Sequence, residues 1–275
     1  MPYQILSKTK LSEGVFSLWV EAPRLAQKRR AGQFIILRPR ENSERVPLTM
    51  VASDERAIRL IFQAVGYTTM ELASLVEGES VHDLTGPLGQ PTELLKDANV
   101  ICVGGGIGVA PVLPIATALK ANGCRVTGVI GARKKELLIL EEEMKSACAE
   151  LLIATDDGSY GHHGFVTDLL RQKLEEGKIS HAYIVGPLPM MAACAKVLEE
   201  FKVPGTVSLN SLMIDGTGMC GGCRVTVGGK TKYTCVDGPE FPADAVNFDE
   251  LRGRLGAYRE FEHVCRLRAK EEGLA

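Results

Sequence analysis

Three cysteines in the last quarter of the chain stand at a spacing that suits a metal centre. Cys220-Gly221-Gly222-Cys223 is followed by Cys235 after eleven intervening residues. Three thiolates so placed can reach one centre, and a fourth donor completes a four-ligand set. Loops of the plant-type two-iron kind place one ligand ahead of the Cys-x-x-Cys pair, with four residues between. Counting back from Cys220 across Met219, Gly218, Thr217 and Gly216 reaches Asp215, whose carboxylate can ligate iron. Asp215, Cys220, Cys223 and Cys235 are therefore the candidate metal ligands. Glycines at 216, 218, 221 and 222 let a short loop wrap the group and aim amides at sulfur. A zinc site or a redox pair of thiols uses the same donors, so both stay open as readings. The glycine-rich loop and the Asp spacing favour iron and sulfide.

A second chemistry is legible in Gly104-Gly105-Gly106-Ile107-Gly108-Val109-Ala110-Pro111. These residues follow an apolar strand and open a helix. Glycines there let the backbone approach a pyrophosphate, and the helix start offers amide donors and a positive dipole end. Val109 stands where the usual dinucleotide fingerprint has glycine. A tight strand-to-helix turn is the bland alternative.

Weaker signals lie elsewhere. Arg45-Val46-Pro47-Leu48-Thr49 puts an arginine beside a Pro-fixed strand, able to pair with a phosphate, and a threonine able to bond a ring or ribose. Gly66-Tyr67-Thr68-Thr69 opens a helix with small polar residues, as an N-cap or as a second phosphate cradle. Asp156-Asp157 closes a strand at an expected ligand edge, or is simply a polar turn. Gly186-Pro187-Leu188-Pro189-Met190 closes another strand, where Gly186 permits close approach of a ring. His162-His163 reads as a solvated pair, and Trp19 as packing.

The elements needed to position these residues follow from the pattern. Over the first 95 or so residues, Tyr3–Thr9, Val15–Glu21, Gln33–Leu37 and Ile58–Val65 read as short strands between turn residues, with a helix over Thr68–Val76. That spacing predicts a small antiparallel barrel. After Pro91 strands and helices alternate. Strands fall at Asn99–Val103, Arg125–Gly131, Leu151–Thr155, His181–Val185 and Thr206–Leu209. Helices fall at Pro111–Ala121, Lys135–Ala149, Phe165–Glu176 and Pro189–Phe201. Alternation of this kind means a doubly wound parallel sheet whose ligands sit at the carboxyl ends of the strands. From Asn210 the chain is rich in Gly and Cys, with a hairpin at Gly228-Gly229, a helical pattern over Phe248–Leu255 and a polar tail. The expected fold class is thus β plus α/β, divided as 1–95, 96–209 and 210–275.

Composition excludes several functions. The chain of 275 residues carries 32 Lys+Arg against 34 Asp+Glu, a net charge of −2, with 45% hydrophobic residues. It lacks the basic balance of a nucleic-acid binder, and no apolar run reaches the length of a membrane span. Met1-Pro2-Tyr3-Gln4 shows no signal-peptide pattern, so the expected location is the cytoplasm. Of the eight cysteines, Cys102, Cys124, Cys148 and Cys194 lie singly in apolar surroundings and Cys265 stands alone. Buried thiols plus one site fit such a chain better than a disulfide framework.

Arg45 to Thr49, Gly104 to Pro111, Gly186-Pro187 with Met190, and the cysteine loop occur in an order that resembles the ferredoxin–NADP reductase superfamily over almost the whole chain. The cysteine loop resembles the branch of electron-transfer subunits of type B dihydroorotate dehydrogenase. That branch has four cysteines, whereas Asp215 stands at the first place here. This substitution, with Asp237-Gly238-Pro239-Glu240-Phe241, resembles the subgroup of small subunits of NADH-dependent ferredoxin:NADP oxidoreductases, also called sulfide dehydrogenase subunit beta.

The resemblance implies three cofactors: FAD, a [2Fe–2S] cluster and NAD(H). FAD would lie in the barrel, on Arg45, Pro47, Leu48 and Thr49, with Gly66, Thr68 and Thr69 covering its phosphates. The nicotinamide nucleotide would meet Gly104, Gly105, Gly106, Gly108, Pro111, Asp156, Asp157, Gly186, Pro187 and Met190. The cluster would use Asp215, Cys220, Cys223 and Cys235. No side chain need act as acid or base, because the chemistry belongs to the cofactors. NADP-using members carry a Ser-Arg phosphate clamp where Asp156-Asp157 stands, which points to NAD. The implied setting is a heteromeric, electron-bifurcating oxidoreductase with a larger flavin and iron–sulfur subunit, through which ferredoxin and NADP would be reached. An electron-transfer subunit of dihydroorotate dehydrogenase B and a zinc-stapled binding module are the alternatives.

Overall fold

A computed structural model describes residues 3–274, with the side chains of residues 259 and 270 excepted. The barrel is built from β1 (Tyr3–Ser12), β2 (Val15–Glu21), α1 (Pro23–Lys28), β3 (Phe34–Arg38), β4 (Val46–Ser53), β5 (Ala57–Gln63), α2 (Tyr67–Ser74), β6 (Ser80–Val81) and β7 (Asp83–Leu88). Strand order β6-β1-β2-β5-β4-β3-β7 is antiparallel where paired, and its two ends are neighbours in sequence, so the sheet is nearly closed. Ile5, Leu18, Ile35, Leu60 and Phe62 fill it.

The second sheet begins with β8 (Asn99–Gly105), followed by α3 (Val109–Ala121), β9 (Arg125–Ala132), α4 (Glu141–Ala147), β10 (Glu150–Thr155), β11 (His162–His163), α5 (Val166–Glu175), β12 (His181–Val185), α6 (Leu188–Phe201) and β13 (Gly205–Ser208). Its interior strands are apolar on both faces because helices cover both. Val100 and Cys102 of β8 face α3 and α4, while Ile101 and Val103 face α5 and α6. The order β11-β10-β9-β8-β12-β13 makes the β8/β12 boundary the point where the chain switches direction across the sheet. Ligands of such sheets bind outside the carboxyl ends of strands at that point.

The C-terminal segment contributes β14 (Arg224–Val227), β15 (Lys230–Tyr233), β16 (Glu240–Pro242), α7 (Phe248–Gly256) and α8 (Arg259–Glu271). β14 and β15 form the hairpin expected at Gly228-Gly229, and β16 pairs antiparallel with β13. The cysteine loop is thus fastened to the nucleotide-binding sheet. Among the described residues no helix is long and apolar enough to cross a membrane.

Two expectations are corrected. The helix read over Lys135–Ala149 is a 3-10 turn at Lys135–Leu137, then α4; Leu140 between them has φ 58, which breaks the helix. The polar tail is also helical. Tyr258, Phe261, Val264 and Leu267 recur three residues apart, a helical spacing, and α8 reaches back to α2, where Tyr67 Oη donates to Glu272 Oε2 at 2.5 Å.

Candidate functional site

β4 carries the arginine–threonine motif into the barrel wall. Pro47, Leu48 and Thr49 pair with Ile36, Ile35 and Phe34 of β3. All three are half-buried and Arg45, just ahead of the strand, is exposed, which leaves one face of β4 open to a ligand. A register break between Met50 and Ala52 follows. Bulges of this kind bend a strand and re-aim its side chains. Here Val51 joins the core of the second domain, and the Arg29 guanidinium donates to the Met50 and Val51 carbonyls, both at 2.7 Å. Arg29 was invisible to motif reading, since its partners are backbone atoms of a distant strand.

The two threonines of α2 have different fates. Thr69 Oγ1 accepts from the amides of Val65 and Gly66 at 3.0 Å each and donates to the Gly66 carbonyl at 2.9 Å. Its hydroxyl is consumed by the helix start. Thr68 Oγ1 is buried without a hydrogen-bond partner, as is Arg38 Nε. Leaving a buried polar group unpaired costs about 1–3 kcal/mol, so these atoms fit a site completed by a ligand. The loop ahead of Arg45 is tied to the same helix, because Ser43 Oγ donates to Glu71 Oε2 at 2.7 Å. Ser43 and Glu71 carry no sequence signal of this role. The arrangement fits a flavin nucleotide whose phosphates meet Arg45 and Thr68.

At the switch point each glycine of the cluster has its own reason. A Cβ on Gly105 would lie 2.1 Å from Met190 Sδ, and one on Gly186 would lie 2.5 Å from Met190 Cε. The Met190 thioether therefore crosses both strand ends. A Cβ on Gly108 would lie 2.3 Å from the Val185 carbonyl oxygen, so the start of α3 touches the end of β12 backbone to backbone. Gly104 packs on Val109, while Gly106 has φ +55 and open space on its Cβ side. Pro111 lies in the first turn of α3. Gly106 is thus the glycine of the cluster with open space on its Cβ side, next in the chain to Gly105, which neighbours Gly186 and Pro187.

Asp156 and Asp157 are both exposed at the end of β10. Asp157 Oδ1 accepts from the Ser159 amide at 2.9 Å and hydroxyl at 2.6 Å, and these bonds hold its carboxyl below the usual range. That carboxylate serves the turn. Asp156 is exposed beside it and is not part of that turn's hydrogen bonding. His162 and His163 are exposed on the edge strand β11, as expected of a solvated pair.

The four candidate metal donors fall into two pairs. Cys220 Sγ lies 3.1 Å from Asp215 Oδ1, and Cys223 Sγ lies 3.2 Å from Cys235 Sγ. Among the described residues, no three or more His, Cys, Asp or Glu side chains gather around one point. A zinc ion needs four donors at ~2.0–2.3 Å from a single centre, whereas a two-iron cluster takes two donors on each metal. Two pairs fit the second requirement. Positive φ at Gly216, Gly218 and Gly221 wraps the loop, and the Gly222 amide points at Cys220 Sγ from 3.4 Å. Burial opposes the charge on Asp215, but the Cys220 thiol, the Thr217 hydroxyl and the amides of Met219 and Cys220 outweigh it. Together they hold the carboxyl well below the usual range. Burial, then the Cys223 thiol, pushes Cys235 up to about 12, so this thiol keeps its proton until a metal displaces it.

The buried pair sits against the barrel. Cys223 and Cys235 pack with Phe34 and Ile36 of β3, whose strand partners are Thr49 and Pro47. Opposite residues of a strand pair share a face, so Thr49 and Pro47 lie on the same side of the sheet as Phe34 and Ile36, and the cysteine pocket adjoins that open face of β4. Cys102, Cys124, Cys148 and Cys194 are buried elsewhere.

Comparison with known proteins agrees with this geometry. The iron–sulfur cluster binding domain of dihydroorotate dehydrogenase B matches residues 210–247, and the oxidoreductase NAD-binding domain matches residues 102–196. A Thermotoga maritima protein, described as a homolog of the electron transfer subunit of dihydroorotate dehydrogenase B (NAD(+)), is 46% identical over 263 residues, covering 95% of this chain and 93% of its own. The electron transfer subunit of dihydroorotate dehydrogenase B (NAD(+)) from Desulforamulus reducens is 32% identical over 250 residues, covering 87% and 95%. A solved structure of the NADH-dependent reduced ferredoxin-NADP oxidoreductase, studied for flavin-based electron bifurcation, superposes with a TM-score of 0.93 at 43% identity over 98% of each chain. Phthalate dioxygenase reductase, with a TM-score of 0.60 at 18% identity over 82% of this chain and 86% of its own, shares the fold.

Proposed function

The chain belongs to the ferredoxin–NADP reductase superfamily, in the branch of electron-transfer subunits that includes those of dihydroorotate dehydrogenase B, and on that premise we propose that it is the small subunit of a heteromeric, electron-bifurcating NADH-dependent ferredoxin:NADP oxidoreductase. The observation that carries this reading is the split of Asp215, Cys220, Cys223 and Cys235 into two donor pairs, of which Cys223 and Cys235 pack on β3 beside the open face of β4. It supports a two-iron cluster adjoining a flavin site within one chain.

When bound, the flavin supplies two-electron exchange with nicotinamide and one-electron exchange with the cluster. The chain's own residues position and insulate. Arg45 and Thr68 would hold the flavin phosphates, while Pro47, Leu48 and Thr49 would line its ring. Gly106 and Gly186 would admit the nucleotide backbone-close at the switch point, and Met190, held across Gly105 and Gly186, would floor that site. Asp156 would accept from a ribose hydroxyl and repel a 2′-phosphate, selecting NAD over NADP. Phe34 and Ile36 exclude water between the two redox sites, and Asp215 and Cys220 stand at the exposed side, where an acceptor subunit can approach. That acceptor would be a larger subunit with its own flavin and clusters, reaching ferredoxin and NADP.

Identity with dihydroorotate dehydrogenase subunits gives the second reading. Asp215 at the first donor place argues against it, since that branch has cysteine there. Purification of the native complex with iron, sulfide, flavin and zinc analysis tests both readings. A brown-yellow complex whose visible spectrum bleaches with NADH is expected, together with reduction of ferredoxin and NADP chemistry in the complex. A colourless, zinc-containing protein would overturn the electron-transfer role, and dihydroorotate oxidation by the complex would favour the second reading.

A further inference from the structure

One buried acid has no part in the roles described so far. Glu240 opens β16, opposite Ser208 of β13, and its side chain turns into the junction of all three segments of the chain. Thr92, in the connection between barrel and second sheet, donates its hydroxyl to Glu240 Oε1 at 2.7 Å. On the barrel side, a Cβ on Gly32 would lie 2.7 Å from the same oxygen, so glycine there makes room for the carboxyl. No Lys, Arg or His is ion-paired or hydrogen-bonded to it among the described residues. Its charge acts on Cys102 of β8 and Tyr183 of β12, and burial pushes both of these groups toward the neutral form. Glu240 is largely buried but keeps a narrow solvent edge.

Its place relative to the redox sites is also defined. The neighbouring Pro239 and Gly238 press on Gly89, and Gly89 presses on Phe34, which packs with Cys223 and Cys235. On the other side, Gly32 precedes Gln33, whose carbonyl accepts from the Met50 amide, next to Thr49. Glu240 is therefore a few van der Waals contacts from the cysteine pocket and from the flavin strand, in a region where charges interact strongly because water is excluded.

We propose that Glu240 is a redox-linked proton carrier: when an electron enters the adjoining cluster from reduced nicotinamide by way of the flavin, one proton passes from solvent to Glu240, and it returns to solvent when the electron leaves. This rests on the iron–sulfur flavoprotein reading above. The balance is one electron and one proton in, one electron and one proton out, with no bond formed other than O–H. The driving force is Coulombic, because added negative charge nearby disfavours a second buried anion. Desolvation, partly offset by the Thr92 hydrogen bond, already raises this carboxyl to about 7, so a modest extra field suffices to tip it.

The test is a redox titration of the full chain with its cofactors, following cluster absorbance or its reduced-state magnetic resonance signal from pH 6 to 8. The wild-type midpoint potential should fall as pH rises through this window. Glu240→Gln keeps an acceptor for Thr92 and mimics the neutral acid, so it should fold and give a pH-independent potential. Thr92→Val removes the bond that favours the anion, so the pH-dependent window should move upward. Infrared difference spectra, reduced minus oxidised, should gain a protonated-carboxyl band that Glu240→Gln lacks. A reducible cluster with a flat wild-type profile, or a Glu240→Gln profile equal to wild type, overturns the proposal and leaves the electron-transfer reading standing. A chain that assembles no cluster overturns both.

Discussion

The glycine cluster at the switch point makes a quantitative prediction that separates side-chain from backbone constraint. Gly105 has φ −117 and ψ 125, and Gly108 has φ −62 and ψ −13. Alanine adopts both conformations freely, so the cost of either Ala substitution is steric alone. On Gly105 the new Cβ would stand 2.1 Å from Met190 Sδ, an atom near the end of a flexible side chain. On Gly108 it would stand 2.3 Å from the Val185 carbonyl oxygen and 2.7 Å from Gly186 Cα, which are backbone atoms of a central strand. Ordinary contact requires about 3.4 Å, and overpacking of this size costs roughly 1–3 kcal/mol. Either change should lower the melting temperature by about 2–4 °C for each kcal/mol lost. The two sites differ in their response to Met190→Ala. That change should rescue Gly105→Ala, with a coupling of roughly 1–2 kcal/mol, and should be additive with Gly108→Ala to within about 0.5 kcal/mol. Gly108→Ala should also raise the KM for NADH by about tenfold or more, because an ångström-scale shift of a strand tip misplaces the nucleotide. Thermal unfolding and NADH-dependent flavin reduction of the three single and two double variants read out both effects. Rescue of Gly108→Ala by Met190→Ala, or no coupling at Gly105, would refute the assignment of these contacts.

Three further outcomes follow from the site. Asp215→Ala removes one donor of the exposed pair, so iron and sulfide content should fall sharply, whereas Asp215→Cys should retain the cluster with a changed potential and Cys265→Ser should change neither. Asp156→Ser should raise NADP use relative to NAD by about tenfold, roughly 1.4 kcal/mol, while Asp157→Ser should mainly loosen the Ser159 turn; equal discrimination in Asp156→Ser and wild type refutes the ribose role. Thr68→Val removes a buried hydroxyl without a partner, so the flavin-free chain should unfold at the same or a higher temperature while flavin affinity drops by roughly 0.5–1.5 kcal/mol, a combination that calorimetry and flavin titration detect.

Local pattern made much of this arrangement readable, and the unreadable remainder has one physical origin. Strand β12, His181–Val185, has the bounds its apolar run predicts, and the alternation after Pro91 led directly to the parallel sheet, because burial on both faces leaves a composition that sequence exposes. The cysteine-rich segment is legible in the same way, since it lies in the stretch that matches an iron–sulfur cluster binding domain. What sequence could not do was sort equivalent residue types. Thr68 and Thr69 are adjacent and chemically alike, yet one closes a helix cap and the other is left unpaired. Asp156 and Asp157 divide in the same way, since Asp157 is bound into the Ser159 turn while Asp156 beside it is simply exposed. Arg29 stands in no motif, and the motif that holds Glu240 gives no sign of its burial, since their partners lie 21 and 148 residues away. Each of these distinctions depends on where a distant backbone segment arrives. The pairing of the candidate donors is of this kind too: spacing picks out four residues, but only the packing of Cys223 and Cys235 against Phe34 and Ile36, with Asp215 and Cys220 left outside, shows them two by two. On the proposed reading, that separation gives a cluster an inner side packed on β3 and an outer side at Asp215 and Cys220, from which an electron would leave.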